Sequence, residues 1–225
     1  MHYLSTRNNQ LNESFTNIFF KGLSGDGGLF LPTKWPNISL ENLKDKSYKE
    51  VAYSIIYPYV KGDISSSDLQ LVLNSTYENF DHKKIAPLVN IDKNKYILEL
   101  FYGPTFAFKD YALQFLGQLF SYLLKEKKRK ITVLGATSGD TGSAAINAFK
   151  GKEDVDVFIL HPHNKVSEVQ RRQMTTVKEK NIHNFAIQGS FDDCQRIVKE
   201  LFVDEDIQSQ TSLTAVNSIN WTRII

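Results

Sequence analysis

The chain has 225 residues, of which 41% are hydrophobic and 23% charged, and its formal net charge is +2. This is the composition of an ordinary globular protein, with enough length for one large or two small domains. Because positive and negative charges nearly balance, nothing in the composition indicates nucleic acid or an anionic membrane as a partner.

A single cysteine, Cys194, excludes an intramolecular disulfide, which suits a reducing compartment. The N-terminus lacks the basic region and apolar core of a signal peptide, and no long uncharged apolar stretch elsewhere could span a bilayer. We therefore expect a cytoplasmic protein. Cys194 lies inside a predicted helix, so we interpret it as a small buried apolar residue and not as a nucleophile.

Residues 1–85 predict a small domain that is helical and rich in loops. Its clearest turn signal is Gly25-Asp26-Gly27-Gly28, which leads into a short extended apolar piece. Helical patterns follow at 48–59 and 67–80, with Ser67 as the expected N-cap of the second helix.

Residues 86–225 predict an α/β domain, because short apolar strands alternate with segments of helix length. Strands are predicted at 96–101, 131–134, 155–160, 184–188 and 213–216, and helices from 109 onward and at 141–149, 166–178 and 191–202. This alternation indicates a parallel sheet with crossover helices. Two helix starts have the spacing of a capping box, Ser167 with Gln170 and Ser190 with Asp193.

One lysine near the start of a predicted helix, Lys109, is a candidate for imine chemistry. It follows a Gly103-Pro104 break, and Phe106 and Phe108 precede it closely in the sequence. An apolar surround and a nearby helix N-terminus both disfavour the ammonium form of a lysine, and the neutral amine is the form that makes Schiff bases. From the residues alone, a surface lysine that opens an ordinary amphipathic helix remains the alternative.

A glycine-rich turn between a predicted strand and helix, from Gly135 to Gly142, is a candidate anion site. Unpaired N–H groups and the helix dipole favour an anion at a helix start, and the glycines let the backbone approach it closely. The spacing fits neither the dinucleotide fingerprint nor a Walker A loop. A plain strand-to-helix connection without a ligand remains the alternative.

Histidines and serines indicate no competing site. His161, His163 and His183 lack the spacing of a zinc signature, so we predict no metal site and interpret the first two as surface histidines of a strand-end loop. Ser138 does not lie in the Gly-x-Ser-x-Gly elbow of hydrolases, and its neighbours suit anion binding better than nucleophilic attack.

The segment Gly103-Pro104-Thr105-Phe106-Ala107-Phe108-Lys109-Asp110 closely resembles the lysine motif of threonine synthases, a family of pyridoxal-phosphate enzymes of fold type II. Further segments resemble that family in the same order along the chain, at 5–7, 25–30, 135–142, 189–195 and 216–220. The resemblance covers essentially the whole chain. It implies a small N-terminal domain, 1–85, followed by the first part of a pyridoxal-phosphate-binding α/β domain, 86–225.

This resemblance also implies roles for the residues of both motifs. Lys109 is implied to carry pyridoxal 5′-phosphate as a Schiff base and then to act as general base and acid. The substrate's α-carboxylate is implied to be bound by Thr137, Ser138, Gly139 and Thr141. Asp140 stands where many relatives outside the threonine synthases have an asparagine that donates to the cofactor's 3′-oxygen. Either a proton is shared between the carboxylate and that oxygen, or Asp140 turns away.

By the same resemblance, the expected reaction converts the small-molecule substrate O-phospho-L-homoserine and water to L-threonine and phosphate. The substrate's phosphate requires a cationic pocket, for which Arg7, Lys165, Arg171 and Arg172 are available. Two alternatives remain. One is another pyridoxal-phosphate lyase, such as a threonine or serine dehydratase, and the other is a threonine-synthase-like binding protein without catalysis.

No glycine follows Gly189, so the glycine-rich loop that binds the cofactor's phosphate in this family is expected outside these 225 residues. We therefore interpret the chain as the N-terminal portion of a longer enzyme. We expect this portion alone to bind the cofactor poorly and to be inactive. The sequence indicates no oligomeric state.

Overall fold

The computed structural model describes residues 1–215 and 220–223, which form two compact units. The first comprises Met1–Phe108 together with 220–223, and the second begins at Lys109. Most of the family segment 216–220, and the end of the last predicted strand at Val216, lie outside the described residues.

A three-stranded antiparallel sheet opens the first unit. Its strands are β1 (His2–Ser5), β2 (Asn8–Ser14) and β3 (Phe30–Pro32), in the order β2-β1-β3. The sequence analysis predicts only a short extended piece in this region. It misses β2 because that strand is polar and mostly exposed, so no apolar alternation marks it.

Three helices belong to the same unit, namely α1 (Phe15–Lys21), α2 (Tyr48–Val60) and α3 (Ser66–Tyr77). The last two confirm the helices predicted at 48–59 and 67–80. The predicted N-cap Ser67 is wrong, because the hydroxyl of Ser65 accepts from the backbone N–H of Asp68 at 3.1 Å and begins α3. Single 3₁₀ turns lie at Glu41–Leu43 and Trp221–Arg223.

The strand predicted at 96–101 is shorter than expected and does not join the parallel sheet. Strand β5 (Lys95–Leu98) pairs antiparallel with β4 (Leu88–Asp92) in a separate hairpin, which turns through Asn94 at a φ of 59°. An apolar run predicts that a segment is extended but does not predict which strand it pairs with. Here β5 pairs with the strand immediately before it in the chain, β4.

Tyr3 anchors the core of the first unit. Its side chain is fully buried, and its ring centroid lies 6.2 Å from that of Phe15 and 6.1 Å from that of Trp221. Its hydroxyl donates to the carbonyl of Tyr59 at 2.8 Å. Burial raises the pKa of the Tyr3 phenol, because the phenolate would be poorly solvated.

The second unit is built on a four-stranded parallel sheet, which confirms the predicted sheet. The strand order is β8-β7-β6-β9, with β6 (Ile131–Ala136), β7 (Val155–Pro162), β8 (Ile182–Ile187) and β9 (Leu213–Ala215). The helices are α4 (Lys109–Lys127), α5 (Asp140–Phe149), α6 (Glu168–Thr175), α7 (Phe191–Val203) and α8 (Glu205–Gln210). No helix in the described part of the chain is both long and apolar enough to cross a bilayer.

Helix α7 begins with the predicted capping box. The Ser190 hydroxyl accepts from the Asp193 N–H at 3.2 Å, and the Asp193 carboxylate accepts from the Ser190 N–H at 2.7 Å. Cys194 in the same helix is fully buried with Leu134 and Leu160, and burial raises the pKa of its thiol. These contacts confirm Cys194 as a packing residue.

Helices α4 and α5 approach each other closely because Gly117 has no side chain. A Cβ at this position would lie 2.5 Å from the carbonyl oxygen of Ala148, a distance that real Cβ atoms do not show. The backbone of one helix therefore rests against the backbone of the other.

Two further contacts flank the Gly117 contact and define the relative direction of the two helices. Toward the helix starts, Gln114 Nε2 donates to Asn147 Oδ1 at 3.2 Å. Toward the helix ends, the ring centroids of Phe120 and Phe149 lie 5.8 Å apart. Because the contacts advance together along both helices, α4 and α5 run in the same sense.

We expect the first unit to lose stability above pH 10 through ionisation of Tyr3. Its pKa in the folded state lies above its value of about 10 in an unfolded chain, so its contribution is fully present below pH 10 and is lost as the pH rises further. In Tyr3→Phe, loss of the bond to Tyr59 lowers the free energy of unfolding by about 1 kcal/mol at neutral pH, but the decline above pH 10 becomes shallower.

Urea unfolding of both proteins between about pH 7 and pH 11 measures this difference. Tyr96 is 55% exposed, so Tyr96→Phe is the control that should leave the pH profile unchanged. Wild-type and Tyr3→Phe profiles that stay parallel above pH 10 would contradict the expectation.

We expect Gly117→Ala to lower the free energy of unfolding by about 1 to 2 kcal/mol. The added methyl group forces two helix backbones apart, and such overpacking outweighs the better helix propensity of alanine, which is worth about 1 kcal/mol. Gly25→Ala is the matched control, because a Cβ there meets nothing within 4 Å. Equal urea midpoints for the two variants would show that the helices do not depend on this close approach.

Candidate functional site

The turn after β6 lies at the carboxyl edge of the parallel sheet, where Gly139 begins α5. Gly139 has a φ of 142°, which residues with side chains rarely adopt, and as the N-cap it makes no side-chain cap bond. In open α/β sheets, ligands bind beyond the carboxyl ends of the strands. The turn is therefore placed where a ligand of this sheet would bind.

Thr137 holds this turn from the inside. Its side chain is buried, and its Oγ1 accepts from the backbone N–H groups of Gly139 at 2.9 Å and Gly142 at 2.8 Å. One hydroxyl thus satisfies two N–H groups that lack a carbonyl acceptor in the helix. A Cβ at Gly142 would overlap the side chains of Thr137 and Met174, so the helix start is also tightly packed.

The other residues predicted to bind a carboxylate differ in exposure. Ser138 is exposed and Thr141 is half-buried. The backbone N–H groups of Asp140 and Thr141 lie in the first turn of α5, where the helix itself offers them no acceptor. With the helix dipole, such groups can bind a carboxylate or phosphate oxygen.

Asp140 contacts a residue that sequence reasoning did not connect with this turn. Gln170 of α6 donates from Nε2 to Asp140 Oδ1. Ser167 is the N-cap of α6, as predicted, because its hydroxyl accepts from the Gln170 N–H at 3.4 Å. The predicted capping box is wrong in its second half, since Gln170 Oε1 accepts from the Ser167 hydroxyl at 2.8 Å, in place of the Ser167 N–H, and its Nε2 donates to Asp140. In the sequence, the spacing from Ser167 indicates only a cap.

Lys109 is the first residue of α4 and is half-buried. Phe106 and Phe108 are 68% and 54% exposed. Because both rings are largely exposed, they do not form the buried apolar surround that the sequence predicts for this lysine.

The packing of α4 on α5 relates Lys109 to the turn. Lys109 precedes Gly117 by eight residues, and Asp140 precedes Ala148 by eight residues. Both helix starts thus lie about 12 Å from the crossing, at a rise of about 1.5 Å per residue. They lie on the same side of it, because the two helices run in the same sense.

Two of the cations proposed for a substrate phosphate have partners on their own helix. Arg171 and Arg172 both donate to the carboxylate of Glu168, at distances of 2.8 to 2.9 Å. These bonds lower the pKa of Glu168 to about 2. Lys165 is exposed on the segment before this helix.

The two N-terminal family segments contact each other. Asp26 Oδ1 accepts from the Gly28 N–H and the Ser5 hydroxyl, each at 2.8 Å, and these bonds lower the pKa of Asp26. Arg7 Nη1 donates to the Asp26 carbonyl at 3.1 Å. These contacts favour a structural role for Ser5-Thr6-Arg7.

The interpretation of His161 as a surface residue is wrong. His161 lies in β7 and is only 4% exposed, and burial lowers its pKa, so the neutral imidazole is favoured. His163 is exposed, as expected. Among the described residues, no three histidine, cysteine, aspartate or glutamate side chains cluster in a way that could hold a metal ion.

Comparison with known proteins relates the whole chain to one family. Residues 2–77 match the sequence model of the threonine synthase N terminus. The chain is 48% identical to a threonine synthase of Pseudomonas aeruginosa, in a match that includes 100% of this chain and 49% of that protein.

Two solved structures show the same fold. A PLP-bound threonine synthase from Brucella melitensis superposes with a TM-score of 0.94 at 44% identity, over 100% of this chain and 49% of that one. Threonine synthase from yeast gives a TM-score of 0.92 at 43% identity, over 99% and 47%. The chain thus spans about half the length of the curated relatives it matches.

We expect Thr137→Val to lower the free energy of unfolding by about 3 kcal/mol, because two buried N–H groups lose their acceptor and each costs about 1 to 3 kcal/mol. Thr137→Ser keeps the hydroxyl and loses one methyl group, so its cost should be about 1 kcal/mol.

Urea unfolding of the two variants beside the wild type measures the difference. A Thr137→Val variant as stable as the wild type, or more stable than Thr137→Ser, would show that the hydroxyl does not hold the turn.

Proposed function

Because the chain corresponds over its whole length to the N-terminal part of threonine synthases, we propose that the protein converts O-phospho-L-homoserine and water to L-threonine and phosphate. The observation that carries this proposal is the joint placement of two helix starts. One begins with Lys109, and the other begins with the turn that offers first-turn N–H groups to an anion.

Threonine synthases use pyridoxal phosphate, and one solved relative is bound to it. The residues of this chain fit such a cofactor, because a half-buried lysine and a glycine-capped helix start lie on the same side of one helix crossing. When bound, pyridoxal phosphate supplies an electron sink that stabilises negative charge on the substrate's Cα. We propose that Lys109 Nζ forms the covalent bond to it and that Asp140 contacts it.

Lys109 then has a second task. With the cofactor bound, the Lys109 Nζ would take the proton from the substrate's Cα and move protons at Cβ, as a general base and acid. In the overall reaction, phosphate leaves from Cγ, Cγ gains a proton to become the methyl group, and water adds at Cβ to give threonine. A lysine at the start of a long buried helix is well suited to these transfers, since α4 holds its backbone in one place.

We propose that the turn after β6 binds the substrate's α-carboxylate. The backbone N–H of Thr141 and the hydroxyls of Ser138 and Thr141 provide donors at a positive helix end, and Gly139, whose own N–H is bonded to Thr137, contributes the positive φ that begins the helix. Thr137 contributes indirectly, because its two hydrogen bonds to the backbone keep the turn in the conformation that presents those donors to the substrate.

We expect Lys109→Ala to abolish the visible absorbance band of covalently attached cofactor and to reduce threonine formation by about 10³-fold or more, because both attachment and proton transfer depend on its amine. Lys127→Ala, at the other end of the same helix, is the matched control and should behave as wild type.

Absorbance spectra of the full-length protein with and without borohydride, together with an assay of threonine from O-phospho-L-homoserine, measure both effects. A reducible band that survives in Lys109→Ala excludes this residue as the attachment point. Turnover of free threonine in place of O-phospho-L-homoserine would favour a dehydratase.

A further inference from the structure

The orientation of the Gln170 carboxamide follows from its hydrogen bonds. The Ser167 oxygen accepts from the Gln170 N–H, so its own proton is available to Gln170 Oε1, which lies 2.8 Å away. With Oε1 occupied by a donor, the Nε2 group faces Asp140 and donates to Oδ1. A capping serine therefore fixes which end of the amide meets the carboxylate.

The same carboxamide covers the start of α5. A Cβ at Gly139 would overlap Oε1 and Cδ of Gln170, so only glycine leaves room for it. The backbone of α6 adds a contact, because the Ser143 hydroxyl lies 3.4 Å from the Gln170 carbonyl and 3.0 Å from the Gly139 carbonyl. Helix α6 thus braces the turn through both the side chain and the backbone of one residue.

We infer that Gln170 is a positioning residue that holds Asp140 by one carboxylate oxygen and leaves Oδ2 to accept a hydrogen bond from the ligand. This inference rests on the proposed function, in which Asp140 contacts the cofactor. The group that Asp140 meets must then be a donor, such as a protonated 3′-hydroxyl. A carboxylate has no proton of its own to offer, and Gln170 occupies its other oxygen.

This role predicts that Gln170 and Asp140 act as one unit. Gln170→Met keeps the length of the side chain but removes both polar atoms, so Asp140 loses its fixed orientation. Gln170→Met and Asp140→Ala should each raise the dissociation constant of pyridoxal phosphate about tenfold, a typical effect of one lost hydrogen bond to a charged group. The double variant should show the same tenfold effect and not a hundredfold one.

The wavelength of the absorbance band of the bound cofactor gives a second readout, which general destabilisation of the fold would not shift. The band of Gln170→Met should shift to the wavelength found for Asp140→Ala, because both variants alter the same contact with the cofactor. Gln195→Met, which removes an exposed glutamine from α7, is the matched control and should keep the wild-type band and affinity.

Cofactor titrations of the four variants and the wild type, all as full-length protein and followed by absorbance, test the inference, and Gln170→Asn serves if the methionine variant does not fold. A wild-type band and affinity in Gln170→Met overturn it, as do effects that multiply in the double variant or an Asp140→Ala protein that behaves as wild type. These results leave the Lys109 test untouched. Failure of Lys109→Ala to remove the attached band would instead overturn the proposed function.

Discussion

The arrangement of the second unit depends on the direct contact between the backbones of α4 and α5 at Gly117 and Ala148. Any side chain at Gly117 would separate the two helices, because its Cβ would meet a carbonyl oxygen that cannot move independently. The contact acts as a fixed point, and each functional segment begins eight residues before it on its own helix. A residue far from any chemistry thus determines where Lys109 stands relative to the turn.

Two of the contacts that hold the turn come from outside the helix that it begins. Thr137, directly after β6, binds two of the turn's N–H groups, and Gln170 of α6 covers its glycine. A residue of the turn and a residue of the neighbouring helix therefore hold it together. Such a turn does not need a ligand to keep its shape, and a preformed donor array loses little conformational entropy when an anion binds.

Much of the second unit could be predicted from the sequence, because its strands are buried and apolar and its helices carry capping residues. Ser190 with Asp193 is the clearest case, since both halves of that cap are local. The polar strand β2 could not be predicted, because an exposed strand shows no alternation of apolar residues. The pairing of β5 could not be predicted either, because the residues of a strand do not specify which strand it pairs with.

The candidate site shows the same division. The turn and Lys109 are contiguous motifs and could be found by their resemblance to a known family, whereas the contact of Gln170 with Asp140 joins residues 30 positions apart. A local pattern already accounted for Gln170 as part of a cap, so nothing in the sequence pointed to a second partner. His161 was misplaced for a related reason, since the strand continues through His161 and Pro162 and carries the imidazole into the interior.

The choice of aspartate at position 140 acquires a physical reason from its neighbour. An asparagine could also accept from Gln170 through its single oxygen, but it would then present an N–H donor to whatever lies beyond. Aspartate accepts on both sides, so in the proposed site the same bond to Gln170 leaves an acceptor for the ligand. Replacing Asp140 by asparagine would therefore keep the hydrogen bond to Gln170 but present the ligand with a donor instead of an acceptor. In the proposed site, Gln170 fixes the orientation of the side chain at position 140, and that side chain decides whether the ligand meets a donor or an acceptor. Support of the turn and recognition of the ligand are therefore tasks of different residues.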